Sequence, residues 1–355
     1  MSAVLPHPAL PVRQGSPGLW TLAWRRLKQD TVGMVSLAIV VLFLLMVAGV
    51  ATGLIASDWN KEKGVSYANP SFMAGAENLE AKALQGREAA KAAPVDLSDI
   101  DPLAPRYKEW EERAAKIAVT EVKRAVSLPF GGDKWGRDVL KKAMKGSEIS
   151  IVVGITGALL ATAIGIFLGA MAGYWGGWVN DFLEWFYNIF TSIPYILLIL
   201  AFAAVASATG KFGKGIIPII LILSLTGWTG IYRLIRAEYI KHSNREYVKA
   251  AQAIGASNGS RMFVHILPNV SHVILVQLSL LVVAFIKVEV ILSFLGLGVP
   301  IDMVSWGTML SEAQTELVIG KWWQLAAATV FMAIFLTAFS MLTDSLRDAL
   351  DPKLR

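Results

Sequence analysis

The chain has 355 residues, 55% of them hydrophobic and only 17% charged. A soluble domain carries roughly 25% charged residues, and here the charges cluster and leave long stretches with none, which excludes an ordinary water-soluble globule. The net charge of +6 comes from basic residues beside apolar runs and no aromatic-interleaved basic stripe accompanies it, so nucleic-acid binding is excluded, while zero cysteines exclude disulfides, thiolate metal sites and cysteine nucleophiles.

Residues 1–16 form a Pro-rich polar tail without the apolar core or small-residue cleavage site of a signal peptide. A helix needs roughly 20 mostly apolar residues to cross about 30 Å of hydrocarbon. The first such run is 32–55, preceded by Arg13, Arg25, Arg26 and Lys28, which places residues 1–31 in the cytoplasm. Residues 56–148 then form an extracytoplasmic loop, the longest soluble segment. Within it 77–91 and 106–124 are rich in Ala, Glu, Lys and Arg and read as helices, separated by Pro94, Pro102 and Pro105. This insertion is either a solvated helical hairpin or a docking platform for an extracytoplasmic partner.

A core over 149–343 supplies five further spans, at 149–174, 185–209, 216–232, 273–295 and 324–343. Pro194 and Pro218 are expected to kink the third and fourth spans. In the second span Gly157, Ala161, Gly165, Gly169 and Gly173 recur every four residues, a small-residue stripe for close packing against this chain's own helices or a partner's. Lys287 and Glu289 sit near the outer end of the fifth span, where long side chains snorkel to the interface. Two residues apart, they do not share a helix face. Arg347, Lys353 and Arg355 mark a second cytoplasmic tail over 344–355.

The most informative stretch is the loop 233–269, whose Arg233, Arg236, Lys241, Arg245, Lys249 and Arg261 place it in the cytoplasm. Residues 237–254 are compatible with helix and Gly255 stops it. The centre is dominated by Ala and Gly, which suits either a socket joint with another protein or packing against the loop's own helix ends. No G-x-x-x-x-G-K-[ST] segment occurs, so ATP must be bound by another chain, and His7, His242, His265 and His272 lack metal-ligand spacing.

The segment EYVKAAQAIGAS at 246–257, followed by HILPN at 265–269, resembles the EAA loop of ABC-importer permeases in their dipeptide/oligopeptide branch. GRDVL at 136–140, LSFLGLG at 292–298, SWG at 305–307 and DSLRDALDP at 344–352 extend the likeness to the C-type subunit of that branch, loosely over 22–53 and closely over 129–355. Lys249 stands where the motif has Glu, and the loop 60–126 is longer than in typical relatives. The resemblance implies an all-α polytopic protein of the bacterial inner membrane with both termini cytoplasmic, paired with a second, homologous permease. It also implies two ABC ATPase subunits holding ATP and Mg, an extracytoplasmic solute-binding protein, and peptides as substrate, with nickel, glutathione or peptide-like antibiotics in the same branch. Glu246, Tyr247, Ala250, Ala251, Gly255, Ala256, Ser257 and Pro268 would form the ATPase-coupling loop, and Glu289 would have a structural or gating role. The chain itself would not be an enzyme. A secondary carrier driven by an ion gradient through Lys287 and Glu289 is the rival reading, although no inverted repeat supports it. A membrane-anchored scaffold would leave the Ala/Gly-rich loop without a purpose.

Overall fold

The apolar runs become helices, and polar caps and prolines decide where they break. The computed structural model describes residues 19–73, 106–116, 124–209, 215–300 and 302–350. An amphipathic helix α1 (Leu19–Gln29) lays Ala23 against Ala349 and Leu350 of the last helix. Asp30, in an extended conformation, separates it from α2 (Thr31–Ala51) and accepts the Val32 amide at 3.0 Å. The first span therefore ends four residues before the expected 55.

The region beyond α2 is tied off by strand pairing that composition does not announce. Strands β1 (Gly64–Pro70) and β2 (Ala125–Leu128) lie parallel, with Gly64 opposite Ala125 and Pro70 opposite Leu128. Helix α3 (Tyr107–Lys116) occupies part of the expected 106–124 helix, which cannot reach 124 because β2 follows. The helix expected at 77–91, with Pro94, Pro102 and Pro105, lies outside the described residues.

Helix α4 (Val139–Trp175) has 37 residues. It begins ten residues before the expected 149, because Asp138 caps it by accepting the amides of Leu140 and Lys141 at 2.9 and 3.3 Å. Its charged first turns stand clear of the apolar stretch. The third span is two helices, α5 (Gly177–Thr191) and α6 (Tyr195–Thr209), meeting at 82°. This is a break rather than the expected kink, since Pro194 disfavours a helical conformation at Ile193. The fourth is also bent, with α7 (Ile217–Gly227) and α8 (Thr229–Ser243) at 40°. Pro218 does not cause that bend: it lies in the first turn of α7, where a missing N–H is tolerated.

The chain continues through α9 (Glu246–Ala253), α10 (Asn258–Phe294), α11 (Trp306–Val318) and α12 (Trp323–Leu350). Helix α10 opens on a π-turn over Arg261–Ile266, just before Pro268, where the widened turn accommodates a ring that would otherwise meet the backbone. Among the described residues, helices α2, α4, α10 and α12 are each long and apolar enough to cross a membrane, and counting each bent pair as one span brings the number to six.

At the centre stands α4, packed against α2, α7, α8, α10 and α12. The glycine stripe faces this chain's own helices. A methyl group on Gly169 would lie 2.7 Å from the Tyr232 carbonyl oxygen, and one on Gly173 would lie 2.5 Å from that of Arg236. Gly165 stands equally tight against Ile231, Gly157 faces Phe285, and Ala161 is fully buried. Replacing Gly169 with Leu forces α4 and α8 apart at the backbone, an overpacking cost of about 3 kcal/mol. Thermal denaturation in detergent should show a clear loss of stability for Gly169→Leu, and little change for Phe167→Leu on the exposed face of the same helix.

Candidate functional site

The loop between α8 and α10 has an inner and an outer face. Val248 and Ala251 turn inward; Val248 packs with Tyr239, Met262 and Ile266, and the Tyr239 hydroxyl donates to the Met262 carbonyl at 3.0 Å. Glu246, Ala250, Gly255, Ser257 and Pro268 are exposed, while Tyr247 and Ala256 are half-buried. The Tyr247 hydroxyl lies 2.8 Å from Nδ1 of His242. Ser257 caps the next helix by accepting the Ser260 amide at 3.3 Å. Gly255 has φ +88° with open space where a side chain would stand, so glycine serves the turn rather than a tight contact. Of the sequence-predicted residues, Ala251 is thus committed to its own chain. Ile254, 85% exposed at the tip, belongs with the outward set and was missed, although an apolar residue just before a helix-stopping glycine is a visible signal.

The loop is fastened to the end of α4. The Tyr174 hydroxyl donates to Asn258 Oδ1 at 3.2 Å, and the Arg261 guanidinium lies 5.6 Å from the Tyr174 ring centre. The Asn269 side chain donates to the His265 carbonyl at 2.6 Å beside Pro268.

Toward the opposite face, Glu289 is not the snorkelling residue that its position suggested. It is 0% exposed. Ser150 of α4 and Ser293 of α10 donate to its two oxygens, each at 2.7 Å. Each serine in turn accepts a backbone amide, Ser150 that of Trp306 at 3.2 Å and Ser293 that of Val299 at 3.1 Å. One carboxyl group therefore joins α4, α10, the 295–305 turn and the start of α11. Lys287 is exposed, on another side of the helix, so the two do not form a charge pair. Sequence reading singled out the acid but not its serines, which lie far apart along the chain.

A second polar cluster sits at the start of α4. Lys142, only 1% exposed, reaches Asp133 at 2.8 Å, Glu312 at 2.5 Å and Gln324 at 3.3 Å. Arg137 also binds Asp133, through Nε and Nη2 at 2.7 Å. Burial opposes the Asp133 charge, yet Lys142, the Arg137 amide and the Arg137 guanidinium together hold its carboxyl below the ordinary range. Glu316, on the same helix as Glu312, is buried and makes no hydrogen bond of normal geometry. Burial pushes its carboxyl up to about 7; Lys142 and the Lys134 amide oppose the shift, while Asp133 and Glu312 add to it. Among the described residues, no group of three or more His, Asp or Glu side chains is placed to hold a metal ion.

Between pH 4.5 and 7 the folded chain keeps a proton on Glu316 that the unfolded chain releases, so its cost appears as pH rises through that window. Glu316→Gln should accordingly raise the melting temperature by a few degrees at pH 8 and change it little at pH 5. Lys142→Met removes the shared cation and should cost about 3 kcal/mol, the lower end for breaking a buried pair because Arg137 remains on Asp133; denaturant titration of the solubilised chain measures it.

Residues 165–355 match the family model described as the binding-protein-dependent transport system inner membrane component. Residues 18–63 match the N-terminal transmembrane domain of oligopeptide transport permease C. The dipeptide transport system permease protein DppC of Bacillus subtilis is 37% identical over 226 residues, covering 64% of this chain and 69% of that one. The oligopeptide transport system permease protein OppC of the same organism is 34% identical over 71% of this chain and 80% of that one. DppC of Lactococcus lactis subsp. cremoris aligns over 93% of this chain and 90% of its own at 28% identity. Among solved structures, the MetNI methionine ABC transporter in an inward-facing conformation matches at a TM-score of 0.48 and 14% identity, over 59% of this chain and 96% of that one.

Proposed function

Since the chain belongs to the family of binding-protein-dependent transport system inner membrane components, we propose that it forms half of the translocation path of an ATP-driven importer for peptides or peptide-like solutes. The relatives named for dipeptide and oligopeptide transport, aligned over most of both chains, carry the substrate class. A second, homologous permease completes the path, two ATPase subunits bind ATP and Mg, and a binding protein delivers the solute outside. Both termini and the 244–257 loop lie in the cytoplasm, as the basic residues beside the spans favour. The ion-gradient alternative is not supported: its two residues point apart, one exposed and one buried within a serine network.

Coupling falls to the outward face of α9 and the turn after it, through Glu246, Ala250, Ile254 and Gly255, with Tyr247 held by His242 and Pro268 closing the loop. The single observation that carries this assignment is geometric. The short helix and its tip present Ala250 and Ile254 outward beside the exposed Glu246, Lys249 and Gln252, while its inner face packs against α8 and α10 and its base is bonded to α4. An ATPase surface pressing on it would move those helices as bodies. No phosphate-binding segment exists in the chain, so the energy has to arrive mechanically.

Ile254→Asp and Ala250→Trp alter exposed positions without touching the chain's own packing. Each should lower co-purification of the ATPase subunits and ATP-driven peptide uptake in proteoliposomes at least severalfold, with normal membrane insertion. Full retention of both activities would remove α9 from the coupling role.

A further inference from the structure

A cavity of about 570 Å³ opens between α6, α7, the turn after α10 and α11, within the roughly 300–1,000 Å³ of small-molecule sites. One wall is apolar, from Ala203, Ile219 and Ile222, and the other is polar, from Ser311, Thr308 and three charged groups, Lys134, Asp302 and Glu312. Lys142 and Gln324 both bond Oε2 of Glu312, which leaves the other oxygen uncommitted. Asp302 and Lys134 are exposed. The lining at Ser293 and Val299 is stiff, because the Val299 amide donates to Ser293 and Ser293 in turn donates to Glu289.

Resting on the peptide-import reading, we infer that this cavity is a subsite for the ends of an incoming peptide, with Asp302 and Glu312 accepting its free α-ammonium group and Lys134 meeting its carboxylate. The side chains of a peptide vary and its two termini do not. A transporter for many sequences therefore gains recognition from paired opposite charges at fixed places and tolerance from an apolar wall. Charge-assisted hydrogen bonds supply the strength. A charged ammonium bonds a carboxylate more strongly than a blocked, uncharged end does, which favours a ligand with an unblocked amine over one with a blocked amine.

The chain has no cysteine, so Ser311→Cys places a single thiol of this chain on the cavity wall. In the assembled importer with its binding protein in proteoliposomes, externally added trialanine should slow labelling of that thiol by a small methanethiosulfonate reagent. N-acetyl-trialanine amide should not. Asp302→Asn and, separately, Glu312→Gln should raise the trialanine concentration needed for half-protection about tenfold, the worth of one lost charge-assisted hydrogen bond, and Asp302→Glu should restore it. Equal protection by both peptides, or no protection in vesicles that still take up trialanine with ATP, would overturn the subsite and leave the import reading standing. Vesicles that take up no peptide with ATP would overturn both.

Discussion

Helix α4 can occupy the centre of this bundle because one of its faces has almost no side chains. Helices in lipid gain nothing from hiding apolar surface from one another, since lipid tails are equally apolar, so association rests on close van der Waals contact. At Gly165, Gly169 and Gly173 the approach is so near that a methyl group would strike the carbonyls or Cβ atoms of α8. That contact seats α8, and α8 leads into the loop that faces the other side. The same helix also receives α2, α10 and α12, with Gly157 of the stripe set against Phe285 of α10.

The same helix is fastened by polar groups at three levels. Lys142 binds it to α11 and α12 at one end, Ser150, about two turns further on, binds it through Glu289 to α10 and the turn that follows, and Tyr174 binds it to Asn258 and Arg261 at the other end. Polar contacts of this kind are directional, whereas apolar packing tolerates sliding. At 1.5 Å per residue, 37 residues span about 55 Å, and the fastenings turn that length into a single lever rather than a set of loosely packed turns. A buried acid such as Glu289 is costly in a membrane unless its hydrogen-bonding capacity is met, and its serines, each also tied to the backbone, meet it.

What the sequence could and could not convey divides along physical lines. Apolar runs of sufficient length specify candidate crossings whatever their surroundings, so the long apolar helices were legible from composition, and the family was legible from its motifs, foremost the 246–257 segment. The angles were not. Pro194 signals that a helix is interrupted, but the 82° between α5 and α6 depends on what each half packs against. The 40° at Trp228 has no proline to announce it. Likewise an acid in an apolar run is visible as an anomaly, but Ser150 and Ser293 are separated by most of the core and only the bundle brings them together. The pairing of β1 with β2 joins segments too far apart for any local periodicity to report. In the loop, a helix of eight residues with alanines on several sides does not reveal which alanine faces inward; burial assigns Ala251 to the fold and Ala250 to the surface.

The two ends of α4 bear on how force and ligand could communicate. At one end Tyr174 holds the base of the loop. At the other Glu312, bonded to Lys142 of the same helix, lines the 570 Å³ cavity. Ser293 belongs both to that cavity's wall and to the Glu289 network that holds Ser150 of the helix. A rigid displacement of α4 driven from the loop therefore cannot leave the cavity unchanged: Lys142 moves with the helix, Glu312 follows its ammonium partner, and Ser150 draws Glu289 and Ser293 in the same direction. Reciprocity requires the converse, that whatever settles in the cavity biases the position of the loop by the same free energy. The proposed coupling needs no flexible relay, only one stiff helix with polar attachments at both ends.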